Sequence, residues 1–266
     1  MRSSSLNRLW VVVPNPHVRG RYNLASMPVH LGKSLRAAVS LIAVTVCALQ
    51  LPIRATEPPL TVIHQAPRKP GPGKPPLLVL LHGFGANEKD LLPMAARLDP
   101  HFAIASLRAP YQIREGMYSW LNGNSEAELE KARRMVIECI DQEAAATGSD
   151  RSRVYLAGFS QGAMLTLAIA LTEPQQIAGA AVLSGRLAAA VRERHASLDQ
   201  LRGFPILVTH GTEDPQIPIR SARDIRQALK LLGVKLDYHE FDSGHYISDF
   251  NVSALDGWLR RQLKRE

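Results

Sequence analysis

"VYLAGFSQGAMLTLAIAL", residues 154–171, sets an apolar run on either side of one polar interruption, Gly158-Phe159-Ser160-Gln161-Gly162. The first run reads as a strand over 154–158 and the second as a helix over 161–171. That helix is apolar nearly all round, so it is expected to lie buried against a sheet. Many small polar residues could turn a chain from strand to helix. A serine with a glycine two residues before it and another two after asks for a more particular reason. The five-residue pattern is short and glycine and serine are common, so the rest of the chain has to decide.

Outward from this stretch, strands and helices alternate. Strands are expected over 60–64, 77–81, 102–107, 178–183, 206–209 and 236–241. Helices are expected near 89–98, from a capping box at Ser125 and Glu128 to about 148, from about 221 to a stop at Gly233, and over a segment carrying Val252, Leu255, Leu259 and Leu263. The run "PRKPGPGKPP" (67–76) suits neither helix nor central strand and reads as a loop. Fully apolar strands alternating with helices imply a mostly parallel central sheet covered by helices on both faces. Residues 186–203 have no clear place in the sheet and are expected to form at most a small cap.

The chain has 266 residues, enough for one large α/β domain, and a formal net charge of +8. Seven basic residues and no acidic one precede Glu57, so +7 of the +8 lies in that leader and the body is near neutral. A basic nucleic-acid face is therefore not expected. Lys33 and Arg36 precede the uncharged run "AAVSLIAVTVCAL" (37–49), which is short for a membrane span and has the pattern of a secretory signal. The expected organisation is a leader over 1–55, with Met27 an alternative start, and a single α/β domain over 56–266. Export to the periplasm or beyond is the expectation; an uncleaved leader would anchor the chain, giving its one membrane contact, and a cytoplasmic location is the alternative. Of the two cysteines, Cys47 lies in the leader. Cys139 shares helical spacing with Leu129, Ala132, Val136 and Ala144 and reads as a small core residue.

In a parallel sheet, ligands bind beyond the carboxyl ends of the strands, and the polar residues gather there. Ser160 follows a strand and opens a helix, the context in which G-x-S-x-G presents a nucleophile. A serine hydroxyl needs a base, and the base needs an acid. The strand over 206–209 runs into "HGTEDPQIP", placing Asp214 in a loop; the strand over 236–241 runs into "DSGHYIS", placing His245 in another. The order Ser160, Asp214, His245 is the one required. Glu213 and Asp242 are the rival acids, with Asp242 read as organising its own loop or staying solvated. His82 and His210 each precede a glycine at a strand end and read as turn and hydrogen-bonding residues. His17, His30, His64, His101, His195 and His239 show no acidic or nucleophilic partner in register. Donors for a tetrahedral oxyanion are expected from the backbone N–H of Gln161 and, in "LLHGFGANEKDLL" (80–92), from that of Phe84.

"LLHGFGANEKDLL", "RAPYQIREGMYSW", "GFSQGAML", "HGTEDPQIP" and "SGH" occur in this order. Together they resemble the phospholipase/carboxylesterase family of α/β-hydrolases, which includes acyl-protein thioesterases and small bacterial carboxylesterases. The resemblance spans about 60–263. It implies an α/β-hydrolase fold with little or no cap, Ser160 as nucleophile, His245 as base, Asp214 as its partner, and Phe84 and Gln161 as oxyanion donors. It also implies that Met117, Tyr118 and Trp120 line the substrate pocket. The leader departs from the pattern of the cytosolic thioesterases.

The expectation is a cofactor-independent serine carboxylesterase acting on small or medium-chain esters, with a small-molecule ester as partner. The sequence has neither H-E-x-x-H nor paired C-x-x-C, so no metal site is expected. An acyl-thioesterase or lysophospholipase is the alternative within enzymes. A non-catalytic hydrolase-fold binding protein is the alternative of another class, although such proteins usually lose a triad member or the oxyanion loop. Physiological substrate and oligomeric state do not follow from the sequence.

Overall fold

Among the described residues, seven strands form the central sheet in the order β1-β3-β2-β6-β7-β8-β9. The strands are β1 (Val62–Gln65), β2 (Leu77–Leu81), β3 (Ala103–Leu107), β6 (Val154–Phe159), β7 (Gly179–Leu183), β8 (Pro205–Gly211) and β9 (Lys235–Phe241). The remaining pair, β4 (Tyr111–Arg114) and β5 (Met117–Ser119), is a separate antiparallel hairpin. This computed structural model describes residues 59–123 and 125–264. The expected leader, its signal, Met27, Cys47, His17 and His30 lie outside the described residues. Edge strand β1 runs antiparallel to β3, and every other pairing in the large sheet is parallel.

Alternate residues of the apolar strands feed two cores. Leu77, Val79 and Leu81 face one side, against α2 (Glu126–Ala146), α3 (Gln161–Thr172) and α6 (Ile219–Leu231). Leu78 and Leu80 face the other, against α1 (Leu92–Ala95) and α7 (Asp249–Leu263). Strands buried on both faces cannot alternate polar with apolar, which is why their sequences are continuous apolar runs. The fold is an α/β-hydrolase, as the motifs imply. Residues 186–203 fold into two short helices, α4 (Ala189–Glu193) and α5 (Leu198–Leu201), pinned down by buried Val191 and Leu201.

Several local expectations shift. The helix expected near 89–98 shortens to the single turn α1, with Pro93 in its first turn, where a missing N–H leaves no helical bond unmade. At the start of α2, Ser125 accepts the Glu128 N–H at 3.2 Å, but the Glu128 carboxylate accepts from the Asn122 N–H at 3.0 Å. The capping box is therefore half formed. Cys139 is buried in the first core, and burial pushes its thiol up to about 12, so it remains an inert packing residue.

Candidate active site

Register aligns the strand ends that carry the polar loops. Leu81 pairs with Gly158, Phe159 with Leu183, Leu183 with Thr209, and Gly211 with Phe241. The residues that follow therefore converge on one edge of the sheet.

At the end of β6, Ser160 adopts φ 54 and ψ −113, a region that side-chain-bearing residues rarely enter. Its glycines are sterically obligatory. A Cβ on Gly158 would lie 2.3 Å from the Gly162 carbonyl oxygen, and one on Gly162 would lie 2.1 Å from the Leu81 oxygen. Alanine favours helix over glycine by about 1 kcal/mol, yet here the clash dominates. Gly162→Ala is expected to destabilise the fold by about 3 kcal/mol, read as a lowered urea midpoint. A midpoint equal to wild type would contradict this packing.

The three residues read from the sequence meet. His245 Nε2 lies 2.8 Å from Ser160 Oγ, and His245 Nδ1 lies 2.6 Å from Asp214 Oδ2. The Asp214 side chain is fully buried. Burial alone would push its carboxyl up, but the Ile217 N–H, His245 and the Gln216 N–H together hold it below the usual value. Its Oδ1 accepts those two backbone N–H groups at 2.8 and 2.9 Å, leaving Oδ2 for histidine. A charged carboxylate there fixes the proton on His245 Nδ1, so Nε2 is the acceptor facing the serine. Gly211 seats the acid loop against the histidine loop, since a Cβ on it would lie 2.2 Å from the Ser243 carbonyl oxygen. The rival acids stand aside: Glu213 is exposed, and Asp242 accepts from Thr212 Oγ1 at 3.1 Å.

The loop after β2 adjoins the serine. A Cβ on Gly83 would lie 3.4 Å from Ser160 Cβ. Among the described residues, neither the Phe84 N–H nor the Gln161 N–H has an acceptor within the chain. His82 anchors this loop: its Nε2 accepts the Ala109 N–H at 3.0 Å, so its Nδ1 carries the proton toward the Gly83 carbonyl. Burial lowers its pKa and keeps the ring neutral. The stretch 117–120 divides. Met117 is exposed and its Cε approaches Gly85, while Tyr118 lies under the Arg108 guanidinium. Trp120, expected in the pocket, is only 1% exposed and donates Nε1–H to the His82 carbonyl at 2.8 Å. It supports the loop from below instead of lining an open cleft.

One contribution escapes sequence reasoning, and the reading of His210 as a turn and hydrogen-bonding residue gains its partners. The Gln161 side chain, beyond the backbone role expected of it, accepts the Trp120 N–H at 2.9 Å and donates to Ser119 Oγ at 3.1 Å, tying the hairpin to the Ser160 turn. His210 is buried, with Nε2 2.7 Å from the Ile217 carbonyl and 3.4 Å from Asp214 Oδ2. It closes the loop whose N–H groups hold the acid. The reading of the other histidines needs correction. His64 pairs with Glu143, His101 with Asp99 and His239 with Asp237, each on the body of the domain. Among the described residues, no group of three or more His, Cys, Asp or Glu side chains is arranged to hold a metal ion.

A bridge of hydrogen bonds from a buried carboxylate through imidazole to a strained serine can move a proton off the hydroxyl, and the Phe84 and Gln161 N–H groups have no acceptor among the described residues. Comparison with known proteins fits that chemistry. The profile of the phospholipase/carboxylesterase family matches residues 65–262. Carboxylesterase SOBER1 of Arabidopsis thaliana is 30% identical over 161 residues, covering 60% of this chain and 70% of its own. Acyl-protein thioesterase 1 of Kluyveromyces lactis is 29% identical over 148 residues, covering 53% of this chain and 58% of its own. Among solved structures, esterase PE8 superposes with a TM-score of 0.66 at 25% identity, covering 77% of this chain and 99% of that one.

Proposed function

The chain belongs to the phospholipase/carboxylesterase family, and from that membership we propose that it is a serine carboxylesterase cleaving small or medium-chain carboxylic esters through an acyl-enzyme. Membership of the family, with its carboxylesterase and thioesterase relatives, supports a hydrolase of ester or thioester bonds. The observation that carries the serine mechanism is the continuous Ser160–His245–Asp214 bridge at 2.8 and 2.6 Å.

In this reading, His245 Nε2 takes the Ser160 proton as Oγ attacks the ester carbonyl. Negative charge grows on the carbonyl oxygen, and the Phe84 and Gln161 N–H groups receive it. One such donor contributes about 3 kcal/mol of transition-state stabilisation. His245 then hands its proton to the departing alcohol. Water, deprotonated by the same nitrogen, releases the acid and restores Ser160. Asp214 stays charged throughout and stabilises the imidazolium.

The test is a turnover panel on the purified protein with short-chain esters, acyl thioesters and lysolipids. The expected result is higher kcat/KM for uncharged short-chain esters than for either other class. A preference for thioesters or lysolipids would move the assignment to those substrates, and turnover of none would end the enzymatic reading.

A further inference from the structure

Beside the first turn of α3 lies a cavity of about 620 Å³ whose apolar wall is made by Leu121, Leu129, Met164 and Leu187. Both of its flanks are tied to the residues around Ser160. The Met164 N–H donates to the Ser160 carbonyl at 3.1 Å, and Leu121 follows Trp120, whose N–H is held by Gln161. The cavity is thus adjacent to the nucleophile turn and large enough for one arm of an ester.

Its charges are not balanced in the usual way. Glu126 on the wall is neutralised by an ion pair with Arg194. Arg186, in the segment that follows β7, is laid against Met164, with its Nε donating to the thioether sulfur at 3.3 Å. Thioether sulfur is a weak, uncharged acceptor. Among the described residues, Arg186 has no carboxylate partner, and its two Nη groups have no acceptor. A guanidinium held by its Nε with both Nη groups open is a ready fork for a carboxylate. Glu193 is the one remaining wall carboxylate, and it is exposed at the end of α4.

We propose that Arg186 is a specificity-determining residue that makes this site select esters bearing a free carboxylate on the arm lodged in the cavity. The inference rests on the esterase reading. The carboxylate can belong to the acyl side, as in a dicarboxylic half-ester, or to the alcohol side, as in an ester of a hydroxy acid.

Two matched pairs distinguish these sources: monoethyl glutarate against ethyl pentanoate, and the butanoate ester of glycolic acid against propyl butanoate. The quantity read is the ratio of kcat/KM for the charged member to that for the uncharged member. In one pair, Arg186→Ala is expected to lower this ratio about fivefold, the scale of a solvent-exposed charge pair. Arg186→Glu lowers it further, and Glu193→Gln, which removes a like charge from the cavity wall, raises it. The Arg186 effect shrinks as salt is added. Normal turnover of the uncharged esters with ratios indifferent to Arg186 in both pairs would overturn this inference alone. Failure of the wild-type protein to cleave any ester would overturn the esterase reading and this inference with it.

Discussion

Ser160→Ala is expected to lower ester turnover by about 10⁶, and to abolish labelling by a fluorophosphonate. The substitution removes one oxygen and little else. Alanine at this position keeps the same backbone, φ 54 between two obligatory glycines, so the strain in the turn is unchanged. The thermal midpoint should stay close to wild type, which separates lost chemistry from lost fold. His245 keeps its bond to Asp214 and loses only its 2.8 Å contact with the hydroxyl. Residual activity within tenfold of wild type, in a folded variant, would show that the reaction runs elsewhere.

The second large effect comes from Asp214→Asn, expected to cost about 10⁴ in kcat. The geometry dictates how the amide must sit. Two backbone N–H groups, from Gln216 and Ile217, point at Oδ1, so the amide oxygen occupies that place. The amide nitrogen then replaces Oδ2 and presents hydrogens to His245 Nδ1. That nitrogen becomes an acceptor, the proton moves to Nε2, and the base facing Ser160 is lost. Flipping the amide offers no escape, because its hydrogens would meet the two N–H groups. There is an acid-stability signature as well. The folded carboxyl titrates below its usual value, so its charged form stabilises the fold above about pH 4. That contribution disappears as the pH falls through the lower folded value, and the Asn variant lacks this part of the acid dependence. A variant retaining a tenth of wild-type kcat would exclude Asp214 as the orienting acid.

What could be read from the sequence followed from steric necessity. Gly158 and Gly162 are required by backbone oxygens about 2 Å from where a Cβ would sit, and the continuous apolar strands by burial on two faces. Asp214 and His245 were legible because each follows a strand that ends at the same edge as β6. The β4–β5 hairpin was not, because "YQIR" and "MYS" are short, mixed in polarity and hidden inside a loop-like stretch. Trp120 was expected beside the substrate because the family resemblance implies a pocket residue there. Its partner is the carbonyl of His82, 38 residues away, and such pairing is set by tertiary contact alone. The His64–Glu143 pair escaped for the same reason. His101 and His239 are each two residues from their acids, so the spacing itself carried that signal.

The backbone at Ser160 has an evolutionary price. A conformation that costs about 1–3 kcal/mol in a residue other than glycine makes Ser160 one of two such strained points among the described residues, Ser184 at φ 53 being the other. Glycine there would relax the turn and leave a sturdier protein unable to react. On the serine-esterase reading, mutation drawn only toward stability would therefore drift to inactivity at this position.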